Sequence, residues 1–236
     1  MIDVYDDVLE EHNAILIDDA VKKLAWRYDY HSDPNKPNKH WHVFCGNDIE
    51  SCTNSGYEWA HSLYVAFTKK FDFIQKYNIE KYERIYCNAH THGIEPHRHC
   101  DDGDLTMIFY PRLDWKIEWG GGTAIYNEQR TNIDKHVPYK GNRLLVFKAA
   151  LPHQAMPVSR QCYELRTCVV FKVLVCGGTG ASIDPEQTHR PNSALEGLES
   201  SKEAPVGSDI PDQKYNENIE FYKNAIEQGN YKIKFT

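Results

Sequence analysis

The sequence predicts a mainly β (α+β) fold, and three observations carry that expectation. Five short runs rich in β-branched and aromatic residues follow one another: RIYCN (84–88), LTMIFY (105–110), GTAIYN (122–127), RLLVF (143–147) and RTCVVFKVLV (166–175). Gly, Pro, Asp and Asn separate them, and no helical pattern lies between them, so antiparallel pairing in a sandwich, jelly roll or barrel is expected rather than βαβ units. A helical period comes first instead. Trp59, Leu63, Val65, Ala66, Phe67, Phe71 and Ile74 recur at intervals near three and four, which predicts one amphipathic helix over Tyr57 to Tyr77.

Before that helix the chain predicts a short helix around Ala20 to Trp26 and then a polar loop, HSDPNKPNKH. After Val175 the text turns to Gly, Pro and Ser with few large apolar side chains, as a linker or tail does. It closes with YNENIEFYKNAIEQG, where Ile219, Tyr222, Ala225 and Ile226 share one face and Gly229 supplies a stop, so a helix is expected over about 215–228. The expected organisation is one domain over 1–176, with its β core over about 83–175, and a tail over 177–236.

Composition narrows the functional classes. No stretch approaches the roughly 18 apolar residues of a membrane span. The start, MIDVYDDVLEEHN, lacks the basic and apolar parts of a secretory signal, so the expected compartment is the cytoplasm. Seven cysteines without a CxxC pair fit reduced thiols better than disulfides or a zinc finger. A net charge of −7 with no basic cluster gives no footprint for nucleic acid. Nothing in the sequence speaks to oligomeric state.

The densest chemistry lies in HTHGIEPHRHCDDGD (90–104), with four histidines and three aspartates. In an extended segment alternate residues share a side, so His97, His99 and Asp101 project together and Cys100 points away. One imidazole and one carboxylate two positions apart can grip a cation. His153, just after RLLVF, offers a third ligand from another strand, while His97 is a rival to His99 if the register slips by two. Two histidines and a carboxylate leave an iron open on its other side; zinc is the alternative for so many histidines. Arg166, opening the last strand, favours iron, because a guanidinium there could hold a remote carboxylate by a two-pronged pair. Metal, open positions and a carboxylate clamp describe an oxygenase with a dicarboxylate co-substrate.

The ordered set HCDDGDLTMIFYP, DWKIEWGGGTAIYN, GNRLLVFKAALPHQAMPVS and ELRTCVVFK resembles the Fe(II)- and 2-oxoglutarate-dependent oxygenases, in particular their prolyl 4-hydroxylase-like branch. The resemblance covers about 83 to 175. It implies a double-stranded β-helix (jelly roll) core, with the helix before it as support. It implies His99, Asp101 and His153 as metal and catalytic residues, with Arg166 and Tyr110 binding 2-oxoglutarate. Fe(II), 2-oxoglutarate and O2 would be required, with ascorbate as a candidate reductant. The implied reaction is hydroxylation of an unactivated C–H, on peptidyl proline, a free amino acid or another small molecule, with 2-oxoglutarate decarboxylated to succinate. Arg166 stands thirteen positions after His153, wider than the family pattern, which keeps Arg160 as a rival clamp.

Blander roles are expected for the other marked residues. His90 and His92 read as a polar loop near the entrance, HWH (40–42) as aromatic packing or substrate contact, and Trp115 and Trp119 as packing. Gly120 to Gly122 precede a strand and not a helix, so they read as a tight turn or bulge instead of a phosphate loop. Asp102, Asp104 and Glu118 read as solvated acids, not an acid/base pair. The loops at 31–56 and 127–141 are the expected substrate contacts. A non-oxidative cupin-like isomerase or hydrolase with the same ligands is the alternative enzyme, and a metal-free β-sandwich binding module the non-enzymatic one.

Overall fold

The fold was analysed in a computed structural model, which describes residues 1–32 and 36–179. The tail beyond 179, with its expected helix at 215–228, lies outside the described residues.

All five expected strands are present, as β4 (Ile79–His90), β5 (Leu105–Tyr110), β6 (Thr123–Tyr126), β8 (Arg143–Lys148) and β10 (Arg166–Val175). Five more complete two antiparallel sheets: β1 (Ile2–Tyr5), β2 (Arg27–Tyr30), β3 (His40–Gly46), β7 (Ile133–Val137) and β9 (His153–Ala155). The large sheet runs β1-β8-β5-β10-β4-β3-β2 and the small one β7-β6-β9. This is the mainly β architecture expected, consistent with a double-stranded β-helix.

Period two in β10 divides the structure. Val169, Phe171 and Val173 join an apolar core on one side of the large sheet, where α1 (Glu11–Lys22) and α3 (Glu58–Lys70) supply Ala14, Val21, Leu63 and Phe67. Cys168 and Val170 join a second core facing the small sheet, with Ile108, Tyr110 and Ile125. Arg166 and Lys172 share their parity, so two cations enter that side of the sheet, and both are buried.

The helices depart from expectation in two places. The N-terminal helix covers Glu11–Lys22, not Ala20 to Trp26: Ala14, Asp18 and Val21 form its buried stripe, and Trp26 lies past its end. The single helix expected over Tyr57 to Tyr77 is two, because Asp72 adopts a left-handed φ of 51°, which an α-helix cannot contain. The reversal lets α4 (Phe73–Lys76) bury Phe73, whose ring stacks on Phe71 at 5.2 Å.

The expected loops are also more ordered than their polar residues indicate. Within 31–56 lie β3 and α2 (Ile49–Asn54), started by a reciprocal cap between Asp48 and Ser51, and β7 lies within 127–141.

Candidate metal centre

His99, Asp101 and His153 offer ligand atoms that all lie within 4.8 Å of one another. Backbone pairing brings the two histidines together. The His99 N–H donates to the His153 carbonyl at 3.0 Å and the His153 N–H to the His99 carbonyl at 2.8 Å. The Asp101 N–H donates to the Ala149 carbonyl at 2.9 Å, pinning the next inward residue of the same extended segment.

Both imidazoles are oriented from behind. Nδ1 of His99 lies 2.9 Å from the His97 carbonyl, and Nδ1 of His153 lies 2.9 Å from the Leu151 carbonyl. A carbonyl only accepts, so Nδ1 is the donor in each ring, which leaves Nε2 as the atom turned toward a cation. These Nε2 atoms face Asp101, His99 at 3.5 Å from Oδ1 and His153 at 3.2 Å from Oδ2. Two imidazole nitrogens and a carboxylate oxygen, converging on one point, fit a divalent iron with positions to spare.

Asp101 is itself gripped. Thr106 Oγ1 donates to its Oδ2 at 2.7 Å, and Lys172 makes an ion pair with the same oxygen. Burial opposes charge on Asp101, but Lys172 and the two imidazoles outweigh it and hold the carboxyl well below its ordinary range. Burial pushes the His153 imidazole down, with Asp101 opposing.

Arg166 is 1% exposed and lines the same narrow cavity as the three ligands. Its Nε donates to the Gly121 carbonyl at 2.7 Å and its Nη1 to Cys168 Sγ at 3.4 Å, and the guanidinium lies over the rings of Tyr110 and Tyr139. Among the described residues no carboxylate pairs with it. The glycine run makes this approach possible: Gly121 has φ 75°, and a Cβ there would stand 3.0 Å from Arg166 Cγ. Tyr110 shares a hydrogen bond of 2.7 Å with Thr123 Oγ1, and burial raises its phenol above the ordinary value. Arg160 is exposed, so the rival clamp lies on the surface.

Other marked residues fall into place. His97 serves through its carbonyl and is not in the cluster. His90 does not belong to a polar loop: it ends β4 directly opposite Arg166 in register, is 5% exposed and lines the cavity. His92 is exposed and contacts the Cys162 carbonyl and Tyr163. The HWH segment is a strand whose imidazoles pack, with His42 stacked on Tyr30 at 3.9 Å and His40 beside His90 at 5.1 Å. Trp115 and Trp119 pack edge to face. Cys100 is buried and accepts a hydrogen bond from Arg130. Asp102 pairs with Arg84, Asp104 accepts from the Val175 N–H, and Glu118 is exposed.

Sequence reasoning missed Thr106, Thr123 and Lys172 as parts of the site. The parity of Lys172 with Arg166 in one strand was the available signal for the last.

The comparisons agree with this geometry. Residues 77–171 match the model of the 2OG-Fe(II) oxygenase superfamily. No curated protein matches the sequence. Among solved structures, a Trichoplax adhaerens prolyl hydroxylase in complex with a hypoxia inducible factor peptide fragment is 15% identical, covering 73% of this chain and 83% of that one, with TM-score 0.52. A Pseudomonas putida prolyl-4-hydroxylase is 14% identical, covering 75% and 93%, with TM-score 0.51. A Burkholderia pseudomallei oxidoreductase of the 2OG-Fe(II) oxygenase family is 13% identical, covering 72% and 83%, with TM-score 0.55. Residues 77–171, less than half of the chain, thus match the 2OG-Fe(II) oxygenase superfamily, and the cluster of His99, Asp101 and His153 lies within that span.

Proposed function

We propose that this chain is an Fe(II)- and 2-oxoglutarate-dependent dioxygenase that hydroxylates an unactivated C–H bond in an uncharged part of its substrate, with His99, Asp101 and His153 holding iron and Arg166 and Tyr110 binding the far carboxylate of 2-oxoglutarate. The observation that carries the reading is Arg166: a buried cation without a counter-ion among the described residues, in the cavity that the ligand triad lines. An unpaired buried charge is costly, so the cavity is built to receive an anion. Once bound, iron supplies the oxidising chemistry, with 2-oxoglutarate released as succinate and CO2 and one oxygen entering the substrate.

The chain's own residues position the reactants. Gly121 and Cys168 set the plane of the Arg166 guanidinium, so a carboxylate meets a fixed donor. Tyr110 keeps its proton, because burial raises its pKa, and remains a donor. On the remaining wall the described lining residues are uncharged: Ser32, Asn88, His90, Pro96 and Ala155. Burial holds the His90 imidazole well below its ordinary value, in its neutral form. Apart from the ligand Asp101, no carboxylate lines the cavity among the described residues, and none of these lining groups balances a substrate ammonium. That favours a residue within a peptide, or a neutral small molecule, over a free amino acid. Peptidyl proline, the substrate type of the similar prolyl hydroxylases, fits this description.

The test is succinate release from 2-oxoglutarate with reconstituted enzyme, offering proline and other neutral residues in blocked peptides beside the free amino acids. Succinate and oxidised product formed together from a peptide, only with iron, O2 and the oxo acid, is the expected result. Product formed equally well without the oxo acid defeats the oxidative reading in favour of a cupin-like one. Turnover of free amino acids alone defeats the substrate assignment.

A further inference from the structure

Lys172 is fully buried, with 0% of its surface exposed, in a strand whose neighbours on the other face are apolar. It stands opposite Thr106 in the β5–β10 register, and its Nζ lies 3.3 Å from Thr106 Oγ1. Both groups converge on one atom: Thr106 donates to Oδ2 of Asp101 at 2.7 Å, and the Lys172 ammonium pairs with that same oxygen. Asp101 is the carboxylate in direct ion pair with Lys172, while Asp102, paired with Arg84, adds its charge from nearby.

A lysine here is costly to the binding of any cation. An ammonium against a ligating carboxylate repels an incoming metal and competes for its donor, and burial denies it the screening of water. A purely structural need would be met more cheaply by an apolar side chain. The arrangement does something an apolar side chain cannot, since it fills the acceptor sites of Oδ2 with two donors.

We propose that Lys172 is a positioning residue of the metal centre. Together with Thr106 it takes Oδ2 of Asp101, so that the carboxylate offers the metal Oδ1 alone and a coordination position stays open for the oxo acid. The enzyme gives up metal affinity for that open position. This rests on His99, Asp101 and His153 holding the metal.

The test uses full-length metal-free protein, wild type, Lys172→Met and Thr106→Val, titrated anaerobically with Co(II) and then with 2-oxoglutarate. Visible absorption reports the coordination of cobalt, and thermal unfolding reports the stabilisation that each addition brings. In Lys172→Met, Co(II) is expected to bind at least about tenfold more tightly, because the competing ammonium is gone. Its cobalt spectrum shifts as Oδ2 becomes a ligand, and 2-oxoglutarate binds the loaded protein at least about tenfold more weakly. Thr106→Val removes one donor without changing charge, so it weakens 2-oxoglutarate by a smaller factor. Lys172→Met that binds Co(II) as wild type does, or more weakly, overturns the proposal and leaves Lys172 a structural counter-ion. If Lys172→Met does not fold, an unchanged 2-oxoglutarate affinity in Thr106→Val overturns it. Wild type that takes no Co(II) overturns the metal site as well, whereas wild type that takes it beside unaltered variants defeats only the role of Lys172.

Discussion

One strand, β10, meets two different environments. Its residues on the helix side, Val169, Phe171 and Val173, sit in a continuous apolar core with Phe67 and Phe109. Those on the other side include Arg166 and Lys172, two cations as thoroughly buried as the phenylalanines. A folded domain fills its interior with apolar side chains wherever stability is the sole demand, because each buried charge needs a partner. The helix side shows that demand met. The cavity side departs from it at two positions: Arg166 has no carboxylate partner among the described residues, and Lys172 pairs with Asp101.

The sharpest way to break this comparison is to cut one large side chain from the cavity that one face lines and one from the opposite face. His153→Ala removes a ligand and is expected to abolish stoichiometric iron binding and turnover, read by elemental analysis and succinate release. Phe171→Ala is expected to cost about 3–5 kcal/mol of stability, read by urea unfolding, while the protein that remains folded still binds iron. Iron binding retained by His153→Ala, or lost from folded Phe171→Ala, would erase the distinction between the faces.

A smaller effect sharpens the role of Arg166. Arg166→Ala removes a charge-assisted pair and is expected to raise the KM for 2-oxoglutarate by about 10- to 100-fold, with iron binding nearly unchanged. Arg166→Lys should recover part of that loss, since a point charge remains without the fork. An unaltered KM in Arg166→Ala would return Arg166 to the ranks of structural residues.

The smallest effect is on pH. Burial pushes the His40 imidazole from an ordinary 6.5 down to about 3. The folded value lies below the unfolded one, so the unfolded chain takes up the proton first. Stability is full above pH 6.5 and is lost as pH falls towards 3, about 2 kcal/mol from this group by pH 5. His90 is shifted in the same direction. Urea midpoints of metal-free wild type should fall between pH 7 and 5, and less steeply in His40→Asn; equal slopes would show that His40 is solvated.

Much of this was legible in the sequence, for identifiable reasons. β5, β8 and β10 announce themselves because strands in the middle of a sheet bury both faces and so read as unbroken apolar runs. His99, Asp101 and His153 stood out because residues able to hold a metal are of few types, and His99 and Asp101 also share parity. The strands outside the five expected ones were harder. β2 and β7 lie at sheet edges with mostly exposed side chains, β1 is an edge strand of four half-buried residues, and β9 is three residues long and held by pairing with β6. Asp72 ends a helix by a backbone reversal that no apolar period records. Lys172 is one polar letter in an apolar strand, and only the register against Thr106 shows where its ammonium goes.

The measurement that tests the central claim most directly is an anaerobic titration of metal-free protein with Fe(II) and then 2-oxoglutarate, following the weak visible charge-transfer band of the chelated oxo acid. Wild type is predicted to develop the band, Asp101→Ala to lose it, and Arg166→Ala to show it only at higher 2-oxoglutarate. Iron bound by wild type with no band at saturating 2-oxoglutarate would contradict the account, because the open face beside His99, Asp101 and His153 would then not be where the co-substrate binds.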